Sequence, residues 1–390
     1  MEFGWQQEHD DFRHEVRAFV AEHRTPELVA ELEAPGAEGG GRGPEAQKFR
    51  QALNQAGYTT MAWPEEYGGQ GKGAFYTYLL VEELGYWGLP FDTMSIMSVG
   101  ATIMSFGTEQ QKQEWLPKIQ SGEMTFALGY TEPNAGTDLA SLQTRAVRDG
   151  DDWVLNGQKI YTSSAHVSTH VWLAARTDPD APKHRGISMF VVPMTTPGIT
   201  VRPLWTMGDG RTNETFWEDV RIPADSLVGE ENRGWYMAAN ALDLERVVIG
   251  PVAPSRRRWD RLIDYLRSER DDLLDDPYVR TQVAETRMDL EITRALALTN
   301  AAIIANGGVP TMQASAGKVW VSEAAHRMTS LGMDLFGGFG GIQRESEEDA
   351  ITEGRFEAEF RATPIIRFGG GTNDVQRRII ATRGLGLPRG

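Results

Sequence analysis

No cysteine occurs anywhere in the 390 residues, which excludes disulfides, thiolate metal sites and a cysteine nucleophile. Histidine is scarce, with seven copies. Only His166 and His170 approach a ligand spacing; they share a face weakly, in a stretch that reads as β-structure, and no metal centre is expected. Positive charge is also short: 39 Lys and Arg stand against 55 Asp and Glu, a net charge of −16, which opposes nucleic acid and anionic membrane surfaces. A small anion is not opposed, because local basic residues bind one inside an acidic protein. No run of about 18 apolar residues occurs, which argues against a spanning helix. The first residues, Met1-Glu2-Phe3-Gly4-Trp5, lead into acidic positions rather than a basic and then apolar signal region. The expectation is a cytoplasmic protein with neither a nucleic-acid nor a membrane partner.

What is present is a globular composition, 40% apolar and 24% charged with a mean hydropathy of −0.40. The length allows two or three domains and a large core. In the first third the pattern is helical. Phe12, Val16, Phe19 and Val20 recur at helical spacing and predict a helix from Asp10 to His23. Further helices are expected from Glu45 to Gly57, Ala74 to Trp87, Thr93 to Phe106 and Glu109 to Gln120, with a loop from Ala34 to Pro44 and a Trp-Pro turn near Trp63.

From Met124 to about Val228 the period changes to two. Thr125–Tyr130, Ser141–Arg148, Trp153–Leu155, Val171–Arg176, Ile187–Pro193, Ile199–Pro203 and Thr215–Ile222 read as strands, with turns at Asp149–Asp152 and Asn156-Gly157. Long helical stretches return from Arg233 to Arg270, Pro277 to Asn306, Thr311 to Phe336 and Thr372 to Thr382. No internal repeat is visible. The reading is an α+β chain in three parts: a helical domain at 1–122, a β-domain at 123–230 and a second helical domain at 231–390.

The richest stretch is Met124–Asp138, MTFALGYTEPNAGTD, together with Trp153–Ala165, WVLNGQKIYTSSA. Proline and glycine break the strand at Thr131-Glu132-Pro133-Asn134-Ala135-Gly136 and leave a loop of backbone N–H groups and hydroxyls. Such a loop suits a flat ring rich in acceptors, with the Thr131 hydroxyl donating and Tyr130 and Tyr161 offering stacking surface. An ordinary β-loop with good turn chemistry explains the same residues. A second glycine loop, Gly369-Gly370-Gly371-Thr372-Asn373-Asp374, enters a helix, whose free N–H groups suit phosphate or ring oxygens; a plain N-cap by Thr372 accounts for it equally.

The two stretches together resemble the flavin signature of the acyl-CoA dehydrogenase family. The matching positions are Leu128, Thr131, Glu132, Pro133, Ala135, Gly136, Thr137 and Asp138, then Asn156, Gly157, Lys159, Tyr161 and Ser163. The later spacing Gly371, Thr372, Gln376, Arg377 agrees, and the resemblance covers nearly the whole chain. It implies helical end domains, the last a four-helix bundle, around a β-barrel, with FAD at their junction and an acyl-CoA substrate. Cofactor contacts would come from Leu128, Tyr130, Thr131, Gly136, Thr137, Tyr161, Ser163, Thr372 and Asp374.

Family chemistry takes a proton from the carbon beside the thioester carbonyl and passes hydride from the next carbon to the flavin. The commonest base position, the Glu of a Tyr-Glu-Gly-Thr motif, is Gly370 here. A second family placement, in an Asp-Leu-Glu-Arg context, matches Asp243-Leu244-Glu245-Arg246. On a helix Glu245 neighbours Ala241, Leu242, Val248 and Ile249, the apolar ring that base work requires. A structural ion pair is the competing reading of that glutamate. Gly370 keeps a backbone N–H able to polarise the thioester carbonyl.

The resemblance also implies substrate contacts at Thr137 and Arg246 and an acyl pocket lined from Asp92 to Phe106, Met97 included. Arg256-Arg257-Arg258 reads first as a solvated helix face and second as an aid to coenzyme A phosphates. Two motifs are missing. Symmetric relatives carry Arg-x-x-Phe-Gly where this chain has Arg267 to Leu274 without Phe-Gly, and a Gln where it has Asp334. A carboxylate beside a pyrophosphate is electrostatically wrong. The pattern is that of the heteromeric members, two of each of two unlike chains, including those acting on steroid side-chain thioesters. Electrons would pass to an electron-transfer flavoprotein or similar acceptor. Alternatives are a branched- or straight-chain dehydrogenase, an acyl-CoA oxidase, and a non-catalytic subunit of a heteromer.

Overall fold

The computed structural model describes residues 5–34, 43–238, 252–344, 346 and 350–388. Six helices come first: α1 (Gln7–His23), α2 (Pro26–Glu33), α3 (Pro44–Gln55), α4 (Ala74–Trp87), α5 (Ala101–Phe106) and α6 (Glu109–Ser121). The expected apolar stripe of α1 is buried, with Phe12, Val16, Phe19 and Val20 packed on α3 and α4 residues such as Phe49, Leu79 and Leu80. Helix α2 was not anticipated from the sequence. Its signal is Thr25-Pro26, an N-cap whose hydroxyl accepts from the Leu28 N–H at 3.2 Å, followed by proline at the first helical position. Of the expected 34–44 loop, residues 35–42 lie outside the described residues.

The helix expected over 93–106 is not uniform. Met94–Gly100 is π-helical and only Ala101–Phe106 is α-helical. The physical reason is an intruding donor: the buried indole of Trp63 gives its hydrogen bond to the Ile96 carbonyl at 3.2 Å, and a side chain inserted in the ladder is a usual cause of such a bulge.

Eight strands follow: β1 (Phe126–Gly129), β2 (Arg145–Asp149), β3 (Asp152–Lys159), β4 (His170–Arg176), β5 (Ile187–Pro193), β6 (Ile199–Trp205), β7 (Arg211–Pro223) and β8 (Leu227–Val228). They form one sheet in the order β6-β7-β3-β2-β4-β5-β8, with β1 parallel to β4. Strands β4 and β5 are buried on both faces. Trp172, Ala174, Met189 and Val191 face a core shared with Trp63, Val99 and Ile103, while Val171, Leu173, Phe190 and Val192 face Trp153, Leu155 and Trp217. The two-residue period of a strand thus divides one apolar run between two cores.

Two expectations in this region are corrected. The strand expected from Ser141 starts only at Arg145, after a 3-10 turn at Leu139–Ser141, because the Gln143 and Thr144 N–H groups donate to the Glu132 carboxylate instead of a ladder. Asn156-Gly157 is not a turn; it lies inside β3, where the register against β7 shifts between Leu155 and Gly157. Asn156 closes that bulge by accepting from the Asp219 N–H at 3.0 Å. Only glycine fits next to it, since a Cβ on Gly157 would stand 2.7 Å from the Thr144 Cα.

The last third is helical again: α7 (Val252–Glu269), α8 (Asp271–Asp275), α9 (Pro277–Ala305), α10 (Thr311–Phe336), α11 (Arg355–Ala362) and α12 (Asn373–Ile379), the last running into a π turn at Ile380–Gly384. The helix expected from Arg233 to Arg270 includes residues 239–251, which lie outside the described residues, and with them Glu245 and Arg246. No described helix is long and apolar enough to cross a membrane.

Candidate active site

The two signature stretches are held together by a buried ion pair that sequence reading did not single out. Lys159, with 0% of its side chain exposed, contacts Glu132 at 2.8 Å and donates to the Tyr130 carbonyl at 3.1 Å. The same carboxylate accepts from the Gln143 and Thr144 N–H groups at 2.6 and 2.8 Å. Three donors therefore converge on the Glu132 carboxylate, and Ile160 adds a further link by donating to the Thr131 carbonyl at 2.8 Å. Burial opposes both charges. For the carboxyl it is outweighed by the lysine and the amide donors, which hold it below its usual range. For the wholly enclosed lysine burial wins against the pull of Glu132 and takes it down to about 8. The available signal was two opposite charges at signature positions amid apolar and glycine neighbours.

With the loop so fixed, its outward donors are free. Among the described residues, the N–H groups of Thr131, Gly136 and Thr137 and the Thr131 hydroxyl have no protein acceptor. The answering turn is set by Asn213, fully buried, whose carbonyl takes the Thr162 N–H and whose amide returns a bond to the Thr162 carbonyl, both at 2.9 Å. This places Tyr161 in the left-handed region, φ 58°, with its ring 60% exposed. Holding a non-glycine residue there costs about 1 kcal/mol or more.

Tyr161, Ser163 and Leu128 line one cleft of about 510 Å³ together with Asp92, Met94 and Thr125. Asp92 also accepts from the Ser95 N–H and hydroxyl, at 3.0 and 2.8 Å. The Ser95 oxygen in turn receives the Phe126 N–H at 2.9 Å, which ties the π-helical segment to β1. Tyr130 is corrected: its ring is 7% exposed and packs in the core with Trp63 and Trp172, so it offers no stacking face. Met97 packs on that same core and does not line this cleft. His166 lies in a turn and not a strand, and His170 opens β4, where burial and nearby Lys118 push its pKa down to about 4. Among the described residues no group of His, Asp or Glu is arranged to hold a metal ion.

The second glycine loop is a separate rigid piece. Buried Lys318 on α10 donates to the Arg367 carbonyl at 2.9 Å and to Asn373 Oδ1 at 2.8 Å, bracketing Gly369–Thr372 from both ends. Burial pulls this lysine down to about 8. Gly370 and Gly371 take φ values of 66° and 86°, and Gln376 donates to the Gly370 carbonyl at 2.9 Å. The Gly370 N–H has no acceptor among the described residues. Thr372 caps α12, accepting from the Val375 N–H at 3.2 Å, and leaves its hydroxyl hydrogen to donate elsewhere. The Asp374 side chain is 96% exposed. Lys318 was not anticipated; a lone lysine in an otherwise small and apolar helix stretch was its only sign.

Free N–H groups, hydroxyl donors and an exposed ring suit a planar ligand rich in acceptors and phosphate, so the residues present fit a flavin nucleotide. Comparison with known proteins agrees. The family model of the acyl-CoA dehydrogenase N-terminal domain matches residues 6–123, the middle-domain model residues 127–220 and the C-terminal-domain model residues 232–385. The chain is 37% identical to acyl-CoA dehydrogenase FadE26 of Mycobacterium tuberculosis over 100% of this chain and 99% of that one. Among solved structures it is similar to the Tcur3481-Tcur3483 steroid ACAD, at 37% identity and a TM-score of 0.92, and to the ChsE4-ChsE5 complex of Mycobacterium tuberculosis, at 36% and 0.90. Both alignments cover 100% of each chain.

Proposed function

Because this chain belongs to the acyl-CoA dehydrogenase family and is an oxidoreductase of that class, we propose that it desaturates a bulky, steroid-type acyl-CoA thioester with Glu245 as the base. FAD, when bound, supplies the hydride acceptor at flavin N5. The Glu245 carboxylate takes the proton from the carbon next to the thioester carbonyl. The C–H pair of the following carbon leaves as hydride, and the electrons left behind form the new double bond. The outward N–H groups of Thr131, Gly136 and Thr137, with Leu128, Tyr161, Ser163, Thr372 and Asp374, would hold the cofactor. Thr137 and Arg246 would meet the substrate, and the Gly370 N–H would polarise its carbonyl.

One observation carries the assignment of the base. Gly370, where the commonest base would stand, has no side chain and is locked in a left-handed turn by Gln376 and the Lys318 bracket. The site therefore needs a carboxylate from elsewhere, and the sequence offers Glu245, whose positions three and four away, Ala241, Leu242, Val248 and Ile249, are apolar. The missing Phe-Gly and the carboxylate of Asp334 support a second, unlike chain that completes the cofactor site, in a two-plus-two assembly. The similar ChsE4-ChsE5 complex and Tcur3481-Tcur3483 steroid ACAD support both the partner and the substrate class.

The test is Glu245→Gln in the flavin-loaded protein. The flavin spectrum should persist while substrate-driven bleaching slows by about 10²-fold or more. Bleaching near the wild-type rate would remove Glu245 from the mechanism. An oxygen-uptake assay separates a dehydrogenase from an oxidase.

A further inference from the structure

Away from the signature loops, a second cleft of about 500 Å³ opens between the C-terminal ends of α1 and α4 and the first turns of α7. Arg17, Arg24 and Arg256 line it, with Tyr86, Trp87, Glu83 and Asp260. The carboxylates are already engaged. Glu83 is bridged by Arg17 at 3.0 Å and Arg13 at 3.7 Å, and Asp260 accepts from the Tyr86 hydroxyl at 2.8 Å. Among the described residues Arg24 and Arg256 have no ion-pair partner.

Those two arginines are nonetheless held in place. The Arg24 guanidinium sits 4.3 Å from the centre of the Trp87 ring, and that of Arg256 sits 4.6 Å from the Tyr86 ring. The Arg24 Nε is buried and donates to nothing. The guanidinium forks of the two arginines match phosphate geometry, so an oxyanion is the group they suit. Guanidinium planes and aromatic faces also stack on nucleobases. The cleft has the volume of sites that enclose a small organic ligand, and it is locally cationic in a chain of net charge −16.

We propose that this cleft binds a nucleoside phosphate, the phosphates on Arg24 and Arg256 and the base stacked beside Trp87. This cleft shares no lining residue with the one at Tyr161 and Ser163, and the proposal does not depend on the reading of Glu245.

The probe is ADP, titrated into the flavin-loaded assembly by calorimetry, against Arg24→Gln, Arg256→Gln and Trp87→Leu variants that keep the wild-type thermal midpoint. Saturable binding is expected, weakened roughly tenfold or more in each arginine variant. Weakening by Trp87→Leu, and a similar drop when inorganic pyrophosphate replaces ADP, follow from the stacked base. Desaturation of the thioester by Arg24→Gln and Trp87→Leu should stay at the wild-type rate. Wild-type ADP affinity in both arginine variants would move binding to another site, and pyrophosphate binding as tightly as ADP would reduce the cleft to an anion patch; either overturns the proposal, as does an absence of saturable binding.

Discussion

At the scale of single residues the decisive contact is Lys159 with Glu132. Removing one member of a buried pair leaves an uncompensated charge, so Lys159→Met should destabilise the fold by about 3–5 kcal/mol and loosen the loop that offers its N–H groups. Adding Glu132→Gln to it should recover part of that loss, a coupling of about 1 kcal/mol or more in a denaturant-unfolding cycle. Strictly additive losses would mean that the pair does not act as a unit. The pH dependence follows from the direction of the carboxyl shift. Glu132 is held below its ordinary value, so its contribution is fully present above about pH 4.3 and is lost as the pH falls through the folded-state value. Both residues stood in the recognised signature, yet their roles were not legible there, because burial decides whether a charge pair is a scaffold or a surface decoration.

At the scale of elements the junction of α4 with α7 governs how the helix that follows residue 251 is held. Glu82, buried on α4, accepts from the Val252 N–H at 2.6 Å and the Ala253 N–H at 3.2 Å. Burial raises its pKa against the pull of these donors. Glu82→Ala strands both amides, and a loss of about 1–3 kcal/mol with faster hydrogen exchange at Val252 and Ala253 is expected. Glu82→Gln keeps the acceptor and should retain most of the protection. Unchanged exchange in Glu82→Ala would mean that the helix start is secured by other groups. Most elements were readable from periodicity, and Ile187–Pro193 and Thr311–Phe336 agree to the residue. Three of the failures share a cause: Trp63 at Ile96, Glu132 at Gln143 and Thr144, and Asp219 at Asn156 are hydrogen bonds made by residues distant in sequence, which local pattern does not contain.

At the scale of the whole molecule the question is how many chains make one site. The missing adenine-site motifs predict that this chain purified alone holds little flavin, and that co-expression with the proposed second chain gives about one flavin per pair of chains in a two-plus-two assembly. Absorbance and native mass measure both. A yellow homotetramer from the single chain would overturn the heteromer, and straight or branched acyl thioesters would then be the substrates to try first. The exposed Phe339, Phe368, Leu385 and Leu387 near the C-terminus belong to this scale, since exposed apolar side chains of that size favour covering by another chain.

The sequence by itself determined the class of chemistry. Thr131 to Asp138 and Asn156 to Ser163 match the flavin signature of the family whose middle-domain model covers residues 127–220, and the helix–sheet–helix order follows from hydrophobic periods of 3.6 and 2. Three things were decided only in the tertiary structure. Tyr130 lies in the core while Tyr161 faces the cleft, Lys318 grips the glycine loop from both ends, and Arg24 and Arg256, 232 positions apart by subtraction of their numbers, share one cleft with Trp87. The physical reason is the same in each case. A residue's type sets what it can donate, accept or bury, whereas its partner and its exposure are properties of packing between segments far apart along the chain.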